Sequence, residues 1–313
     1  MERLDGGSTV PPHLAGGIVA LGNFDGFHLG HQAVVGQAVA RARAEGRPAL
    51  VATFDPHPVR HFRPDTPPFR LTTLDQRERL FAAAGVDAMV VFSFDAALAA
   101  LSAEGFAERL AQRLQVAGVV TGADFTFGQA KRGDVAMLAE LGTRLGFTAD
   151  TVGAVTLGGE TVSSSRIRDL LRAGNPRDAA RLLTRPFAIE GVVQHGDKLG
   201  RTIGYPTANI DMGKYLRPAY GIYAVTARLA DGRLVQGAAN LGIRPTFDPP
   251  KELLETYVFD FAGDLYGQVI EVALIDYLRP EAKFDSLDAL TAQMEADCAE
   301  ARVRLASAPA SAL

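Results

Sequence analysis

The first half of the chain alternates short apolar runs with longer amphipathic segments. The runs at Ile18–Leu21, Ala49–Phe54, Ala88–Phe94 and Gly118–Gly122 are almost wholly apolar, which is typical of buried parallel strands. Between them the apolar residues recur at helical spacing, and one helical segment opens with a capping box within Thr72–Gln76. This alternation predicts an α/β domain whose parallel sheet is covered on both faces. A ligand site is expected beyond the carboxyl ends of the strands.

After Arg185-Pro186 the pattern changes to strand-like segments with several stretches of alternation, separated by Gly, Asp and Pro clusters. They include the hairpin signal Asp231-Gly232, and an amphipathic helix with a serine N-cap follows at about Ser286–Leu305. The pattern predicts a small antiparallel β-barrel, closed or nearly closed, with one terminal helix. We therefore expect two domains, at residues 1–184 and 185–313.

Length and composition agree with this division and exclude several classes of protein. The 313 residues, 47% hydrophobic and 22% charged, are typical of two soluble globular domains. A net charge of −4 argues against a nucleic-acid-binding protein. No apolar stretch approaches the ~20 residues of a membrane-spanning helix, and Glu2, Asp5 and Pro11-Pro12 interrupt any signal peptide. The single cysteine, Cys298, lies in a helical setting and is interpreted as a structural thiol, which fits a reducing cytoplasm.

The first candidate site is the segment Gly22–His31, between the first strand and the first helix. Gly22 and Gly26 permit tight turns, and the helix N-terminus attracts anions. His28 and His31 are three residues apart, so they share one face of the first turn. Two imidazoles there would donate hydrogen bonds to phosphate oxygens. The alternative, that both histidines merely cap a helix, is less favoured.

A second phosphate-binding candidate is the segment Thr161–Arg168, which contains three serines before a helical pattern. Serine hydroxyls and helix N-terminal amides bind phosphates, and Arg168 lies about one turn further on. A well-capped helix with a solvated arginine explains the same residues almost as well.

Two loops follow the second and fourth predicted strands, at Phe54–Phe62 and Gly122–Gly128. Prolines make the first loop stiff, and its aromatic side chains could stack on a planar ring. The alternative is that Phe54, Phe125 and Phe127 are core residues, which we expect for at least one of them.

In the second half, Thr207 and Asn209 point to the same side if the segment after Pro206 is extended. A hydroxyl and a carboxamide oxygen suit Mg²⁺, which takes its other ligands from water and substrate phosphates. Three glycines would let the backbone approach a nucleotide: Gly196, Gly200 and Gly204. Glu255 is a candidate base for a hydroxyl group, although an isolated acid on a strand is more often solvated.

Taken together, these segments resemble known families. The HxGH segment and the serine–arginine segment resemble the nucleotidyltransferase superfamily. From about Gly16 to Leu305, the chain resembles the prokaryotic bifunctional riboflavin kinase/FMN adenylyltransferases, also called FAD synthetases. The motifs that carry the resemblance are, in order, GNFDGFHLGH, FDPHPVRHF, DFTFG, SSSRIR, GRTIGYPTANI, NLGIRPTF, ETYVFDF, DLYG and LRPEAKFDSLDAL.

The resemblance implies that the N-terminal domain is Rossmann-like and transfers the adenylyl group of ATP to FMN. His28, His31 and Arg168 match catalytic positions. The positions that match ATP-binding residues are Gly22, Phe24, Asp25, Gly26, His28, His31, Asp124, Ser164 and Arg168. Those that match the flavin-binding region are Phe54, Pro56, His57, Pro58, Phe62 and Phe127.

For the C-terminal domain the resemblance implies a riboflavin kinase. Thr207 and Asn209 match the residues that hold Mg²⁺ and ATP, Glu255 matches the catalytic base for the ribityl 5′-hydroxyl, and Arg279 is assigned to flavin binding. Tyr257 stands where many relatives have His, a departure that removes no catalytic group.

The implied substrates are ATP, riboflavin and FMN, with Mg²⁺ as cofactor and with FMN and FAD as substrate and product. Neither nucleic acid nor membrane is expected as a partner. We expect the protein to be cytoplasmic and to be a monomer or a weak transient homo-oligomer. Three alternatives are less favoured. One domain could only bind its ligand, or the protein could be a flavin-responsive regulator without turnover, but every group that the two reactions require is present. The first domain could also act on another phosphate ester, but the predicted barrel after Thr184 would then have no role.

Overall fold

The computed structural model describes residues 1–195, 204–244 and 251–307. The chain folds as two units. The first comprises Met1–Pro67 and Thr73–Ser163, and the second comprises Pro68–Thr72 and Ser164–Leu313.

The first unit is built on a parallel sheet of six strands in the order β1-β4-β3-β2-β5-β6. The strands are β1 (Glu2–Asp5), β2 (Ile18–Leu21), β3 (Ala49–Asp55), β4 (Ala88–Ser93), β5 (Gly118–Gly122) and β6 (Thr148–Val152). A two-stranded ribbon of β7 (Thr156–Leu157) and β8 (Glu160–Thr161) follows. The four predicted apolar runs form β2 to β5, so that prediction is confirmed. The chain crosses from β2 to β3 on one side and later to β5 on the other, which makes the β2–β5 gap the topological switch point.

Helices cover both faces of this sheet. They are α1 (Leu29–Ala44), α2 (Pro58–Phe62), α3 (Leu74–Ala83), α4 (Ala96–Ala99), α5 (Ala103–Gln112) and α6 (Val135–Leu145). One core cluster joins the sheet to α1 and α3 through Val35 and Phe81, and the other joins it to α5 and α6 through Phe106 and Leu141. The capping box forms at the start of α3, between Thr73 and Gln76. The predicted two-faced α/β architecture is confirmed.

The second unit contains two helices followed by an antiparallel sheet. The helices are α7 (Ser164–Arg172) and α8 (Pro176–Leu183). The strands lie in the order β10-β13-β12-β11-β14-β9. Their bounds are β9 (Phe187–Val192), β10 (Thr207–Asp211), β11 (Gly221–Arg228), β12 (Leu234–Arg244), β13 (Lys251–Val258) and β14 (Val269–Arg279).

The two edge strands of this sheet meet just beyond the end of β9. The Gln194 N–H donates to the Asn209 carbonyl at 2.8 Å, which forms a bridge to β10. The sheet therefore curls into a barrel, as the alternating pattern predicted. Its interior holds large buried side chains such as Tyr223, which is 0% exposed.

One terminal helix, α9 (Leu287–Ala306), packs against the outside of the barrel. Ser286 caps it by accepting the Ala289 N–H. Ala301 and Leu305 form a cluster with residues of β11, β12 and β14, including Ala224 and Ala238. The predicted terminal helix and its serine cap are confirmed.

Candidate active sites

The loop after β2 takes the chain to the N-terminus of α1 through an unusual backbone. Phe24 and Phe27 have positive φ angles of 50° and 43°, and Gly26 has 89°. Such conformations are uncommon for residues other than glycine and persist where the surroundings impose them. Here the imposing contacts are aromatic, because both phenylalanines pack edge-to-face against Phe81 of α3. The core thus fixes the shape of the loop that precedes the two histidines.

His28 and His31 lie together at the mouth of α1. His28 is the N-cap, and its Nδ1 accepts the main-chain N–H of His31 at 3.4 Å. Their rings stack with centroids 3.6 Å apart, and His31 also contacts the Phe24 ring at 5.3 Å. His28 therefore caps the helix, as the alternative interpretation had it. Capping uses Nδ1, so in the neutral ring the proton belongs on Nε2, which can donate to a phosphate.

Gly30 lies between the histidines because no larger residue fits there without displacement. A Cβ at this position would lie 3.2 Å from His28 Cε1 and 3.3 Å from His28 Nδ1. The next nearest atom would be the Val162 carbonyl oxygen at 3.7 Å, which comes from the segment just before α7. The glycine thus allows close approach of both the His28 ring and the main chain at Val162.

Arg77 of α3 is a residue of this site that the sequence interpretation missed. It is only 3% exposed, and its Nη1 donates to the Asn23 carbonyl and to Thr53 Oγ1, at 2.9 Å each. The Thr53 hydroxyl donates to the same Asn23 carbonyl at 2.9 Å. A strand and a helix thereby hold the main chain of the β2 loop. An arginine in a polar helical segment gives no sign of burial, so sequence offered no signal for it.

Asp124 follows β5, on the other side of the switch point from the β2 loop. Its side chain is exposed. Gly122 precedes it, and a Cβ there would lie 3.0 Å from Asp124 Oδ1. Because β2 and β5 are parallel neighbours, Asp124 and the histidine loop lie at the same edge of the sheet.

The loop after β3 carries the predicted flavin contacts. Pro56 precedes His57, which caps α2 by accepting the Val59 N–H on Nδ1 at 3.2 Å, and Pro58 opens that helix. The Phe62 ring is 62% exposed and packs edge-to-face on Phe94 at 5.8 Å.

Phe54 and Phe127, which were also predicted to bind flavin, lie in the core instead of at the surface. They are 8% and 6% exposed, and both rings contact Phe106. The core interpretation, which the sequence left open, describes their packing. A direct flavin contact for these two rings stays a prediction.

Ser164 and Arg168 lie on α7 and belong to the second unit. Ser164 is the first residue of the helix. Arg168 Nε donates to the Phe69 carbonyl at 2.9 Å, and the guanidinium carbon lies 5.1 Å from the centre of the Phe69 ring. The arginine is thus held by the short segment 68–72 of the same unit.

In the barrel, Thr207 and Asn209 lie two residues apart on β10, so they share one face. Glu255 of β13 is directly opposite Asn209 in the strand register. The three candidate residues therefore come together, although 46 positions separate Asn209 from Glu255 in the chain. Of the glycines singled out nearby, Gly196 and Gly200 lie outside the described residues, and Gly204 has a positive φ of 88°.

Asn209 is 4% exposed, and its side-chain oxygen is buried without a hydrogen-bond donor among the described residues. A buried oxygen of this kind is costly unless it receives a ligand. Its neutral hard-oxygen chemistry, with the Thr207 hydroxyl on the same face, fits Mg²⁺. Within the described ranges there is no group of three or more His, Cys, Asp or Glu suited to a metal ion.

Arg279, predicted to contact flavin, is tied to the terminal helix. Its Nε and Nη2 donate to the two carboxylate oxygens of Asp297, at 2.8 and 2.6 Å. Gln293 donates to the same carboxylate at 3.0 Å. Any flavin contact of Arg279 would have to be made by its remaining surface, so the assignment stays a prediction.

Cys298 lies next to Asp297 on α9 and is half-buried. Burial, and to a lesser extent the Asp297 charge, raises the pKa of its thiol to about 11. A thiol with so high a pKa is almost wholly protonated at neutral pH, which is the property expected of a structural cysteine.

Both halves of the chain match known families. A family model described as FAD synthetase matches residues 10–166, and one described as riboflavin kinase matches residues 183–305. Within the residues that the structure covers, no helix has both the length and the apolar character to cross a membrane.

Three curated relatives carry the name bifunctional riboflavin kinase/FMN adenylyltransferase. The protein of Escherichia coli (strain K12) is 39% identical over 288 residues, 92% of each chain. That of Pseudomonas fluorescens is 40% identical over 304 residues, which is 96% of this chain and 97% of the relative. That of Bacillus subtilis (strain 168) is 38% identical over 304 residues, 94% and 95% respectively.

Among solved structures, a crystal structure described as a macrolide-efflux protein from Streptococcus pneumoniae aligns with a TM-score of 0.85 and 31% identity. The alignment covers 95% of this chain and 97% of that one. With both family models in the same order and relatives that match nearly end to end, the chain belongs to the bifunctional riboflavin kinase/FMN adenylyltransferase family.

Proposed function

We propose that this protein makes FAD from riboflavin in two ATP-dependent steps. The C-terminal part, residues 185–313, phosphorylates riboflavin to FMN and leaves ADP. The N-terminal part, residues 1–184, adenylylates FMN to FAD and releases pyrophosphate. The observation that carries the proposal is that the chain holds two candidate phosphate sites that are built differently, each within its own family match. One is a histidine pair at a helix mouth, and the other is an Asn–Glu pair on a barrel.

Adenylyl transfer needs alignment and charge stabilisation more than it needs a nucleophilic side chain. A phosphate oxygen of FMN attacks the α-phosphorus of ATP, the bond to the β-phosphate oxygen breaks, and pyrophosphate carries away the electron pair. We assign His28 and His31 to the ATP phosphates, where Nε2–H of His28 and the N-terminus of α1 would donate to oxygens. Ser164 and Arg168 are proposed to bind ATP phosphates as well, on the strength of the family resemblance of their segment.

Residues of the loop after β2 and of the end of β5 are proposed to line the ATP site, because they lie at the same edge of the sheet. They are Gly22, Phe24, Asp25, Gly26 and Asp124. For the flavin, Phe62 offers an exposed ring that can stack on the isoalloxazine. Pro56, His57 and Pro58 are proposed to line the same flavin site. Phe54 and Phe127 are proposed to border it from their positions in the core.

In the kinase step the riboflavin hydroxyl attacks the γ-phosphorus of ATP, and ADP leaves. Glu255 would accept the proton of that hydroxyl as the new P–O bond forms. Thr207 and Asn209 would hold Mg²⁺ through their side-chain oxygens, and this ion supplies charge neutralisation for the triphosphate when bound. Arg279 would contact the flavin next to the terminal helix.

The proposal is tested by incubating the purified protein with riboflavin, ATP and Mg²⁺ and separating the flavins by chromatography. FMN should appear first and FAD second. His31→Ala should abolish FAD formation and spare FMN, whereas Asn209→Ala should abolish FMN formation and still convert supplied FMN to FAD. Matched controls are His13→Ala and Gln236→Ala, which alter exposed side chains of the same chemistry.

Each alternative has its own outcome in the same experiment. Tight flavin binding without any product would favour a regulator. FMN alone would mean that the N-terminal part is inactive or uses another phosphate ester. If either substitution eliminates both steps in a folded protein, two independent sites is the wrong description.

We further infer a cytoplasmic location and a monomer or weak transient homo-oligomer, on the strength of the family. FMN and FAD are then substrate and product, not prosthetic groups. Light scattering across a range of protein concentrations tests the oligomeric state directly.

A further inference from the structure

A third polar side chain stands in line with the two proposed kinase residues. Glu255 of β13 faces Asn209 of β10 on one side and Asn240 of β12 on the other, each directly opposite in register. Residues directly opposite in antiparallel strands point to the same face, with Cβ atoms about 5 Å apart. Asn209, Glu255 and Asn240 therefore form one row across three strands.

The row lies on the outside of the barrel. The positions next to it along the strands, Ala208, Thr256 and Ala239, alternate to the other face and are 6%, 0% and 2% exposed. Two positions further along the outer face, Ala238 and Tyr257 pack towards the terminal helix. The row thus begins where the cover of α9 ends, and two of its three residues, Glu255 and Asn240, are partly exposed.

Asn240 is oriented by a contact at one end of its amide. Its Nδ2 donates to Glu281 Oε1 at 3.3 Å. A carboxylate only accepts hydrogen bonds, so the amide nitrogen must face Glu281 and the oxygen must face away from it. That oxygen is buried and accepts no hydrogen bond from any residue that the structure describes. It shares this condition with the side-chain oxygen of Asn209.

Gly242 makes the contact with Glu281 possible. A Cβ at Gly242 would lie 2.1 Å from Glu281 Oε1, so a larger residue would displace the carboxylate from its place beside the strand. The pair of Gly242 and Glu281 therefore sets which way the Asn240 oxygen points.

The order of the row indicates what Asn240 binds. Asn209 and Asn240 are two strands apart, about 10 Å between Cα atoms, which is too far for both to serve the same small ion easily. The row continues from Asn240 through Ile222 to Arg279 in register. The proposed nucleotide ligands thus lie on one side of the base and the proposed flavin contact on the other, with Asn240 on the flavin side.

We propose that Asn240 is a specificity residue of the kinase, whose Oδ1 accepts a hydrogen bond from the hydroxyl next to the one that Glu255 deprotonates. The substrate class is an alcohol chain with adjacent hydroxyls, such as the ribityl chain, whose terminal hydroxyl accepts the phosphoryl group. The inference rests on the proposed kinase function. Asn240 does not exchange a proton with the substrate, and it fixes the chain so that the terminal oxygen meets Glu255.

The test compares riboflavin with an analogue whose side chain lacks the hydroxyl adjacent to the phosphorylated one. The wild-type enzyme should prefer riboflavin by tenfold or more in kcat/KM, because the analogue leaves the Asn240 oxygen unpaired. Asn240→Leu should lose tenfold or more on riboflavin, mainly through KM for riboflavin with KM for ATP unchanged. The variant should also use both flavins within about threefold of each other. Gln236→Leu, on the same strand but exposed, should behave as wild type.

Two results would overturn the inference: equal use of both flavins by the wild type, or preserved discrimination in Asn240→Leu. If Asn240→Leu fails to fold, Gly242→Ala, which displaces Glu281, should still reduce the discrimination, and an unchanged ratio would overturn the inference as well. A wild type that phosphorylates neither flavin would instead refute the proposed kinase function, and the inference with it. The wild-type reaction with riboflavin therefore separates the two failures.

Discussion

Arg77→Met tests whether the buried guanidinium positions the adenylyl-transfer site. Arg77 and Thr53 both donate to the Asn23 carbonyl, which lies between the end of β2 and the histidine pair. Methionine keeps the length and apolar stem of arginine but removes its donors. We expect the loop to lose one of its two anchors while the helix and the sheet stay in place.

The size of the effect follows from the contacts. Hydrogen bonds from a charged donor contribute about 1.5–3 kcal/mol each, so the two from Nη1 contribute about 3–6 kcal/mol. These contributions are already net of desolvation, so the free energy of unfolding should fall by about 3–6 kcal/mol. The rate of adenylyl transfer should also fall, because a displacement of the histidine loop by about 1 Å can lower the rate about 100-fold.

The assay measures both activities on the same preparation. We expect kcat/KM for FMN adenylylation to fall about 10- to 100-fold, while riboflavin phosphorylation stays within twofold of wild type. Denaturant unfolding gives the stability change, and Arg144→Met, which removes an exposed arginine of α6, is the matched control. If Arg77→Met lowers stability but leaves adenylylation within twofold of wild type, the arginine stabilises the core without positioning the loop, and the reasoning is refuted.

Three further predictions use features of single residues. Gly30→Ala should raise helix stability by up to about 1 kcal/mol yet lower adenylylation several-fold, because its Cβ would press on the His28 ring. Gly36→Ala in the same helix meets no atom within 4 Å and should leave activity unchanged, and equal activity in both variants would contradict the argument. Asp297→Ala should lower the free energy of unfolding by about 3 kcal/mol, since it leaves the Arg279 charge without its bidentate partner. Urea titration against Asp288→Ala, an exposed acid of the same helix, checks this, and equal losses would count against it. Cys298 should react about tenfold more slowly with a disulfide reagent at pH 8 in the native than in the unfolded protein. A pKa of about 11 cuts the thiolate fraction about 100-fold, which a more nucleophilic thiolate offsets about tenfold. Native reactivity should rise as the pH approaches 11, and a rate as fast as that of the unfolded chain would contradict the raised pKa.

Sequence predicted the central strands because they are buried on both faces. Ile18–Leu21 and Ala49–Phe54 are continuous apolar runs, and the helices between them have local signals such as the capping box at Thr73. The edge strands β1 and β6 gave no such signal. Glu2–Asp5 is mostly exposed and polar, and it is a strand only because its backbone pairs with β4. Pairing of this kind depends on a neighbour that is distant in the sequence, as Glu2 is from its partner Ala88.

The candidate sites show the same limit. His28, His31 and Asp124 could be placed at one edge because strand ends in a parallel sheet meet there, and the structure puts them at that edge. Arg77 and Asn240 could not be found this way. Arg77 reaches the site from a neighbouring helix, and Asn240 lies in the NLGIRPTF motif, which by itself indicates no role for an asparagine. Their relevance comes from contacts and register, which an unaligned sequence does not contain.

Register also explains how the barrel interior fixes the proposed kinase site. A slip of one residue between β12 and β13 would turn Glu255 inward and would bring Thr256 to the outer face. The interior opposes such a slip, because Ala239 and Tyr223 fill it at 2% and 0% exposure and a carboxylate there would be buried without water. The row of Asn209, Glu255 and Asn240 is therefore held in line by residues that never touch a substrate. Substitutions that change the volume of this interior should therefore alter the register of the strands and, through it, lower the rate of riboflavin phosphorylation.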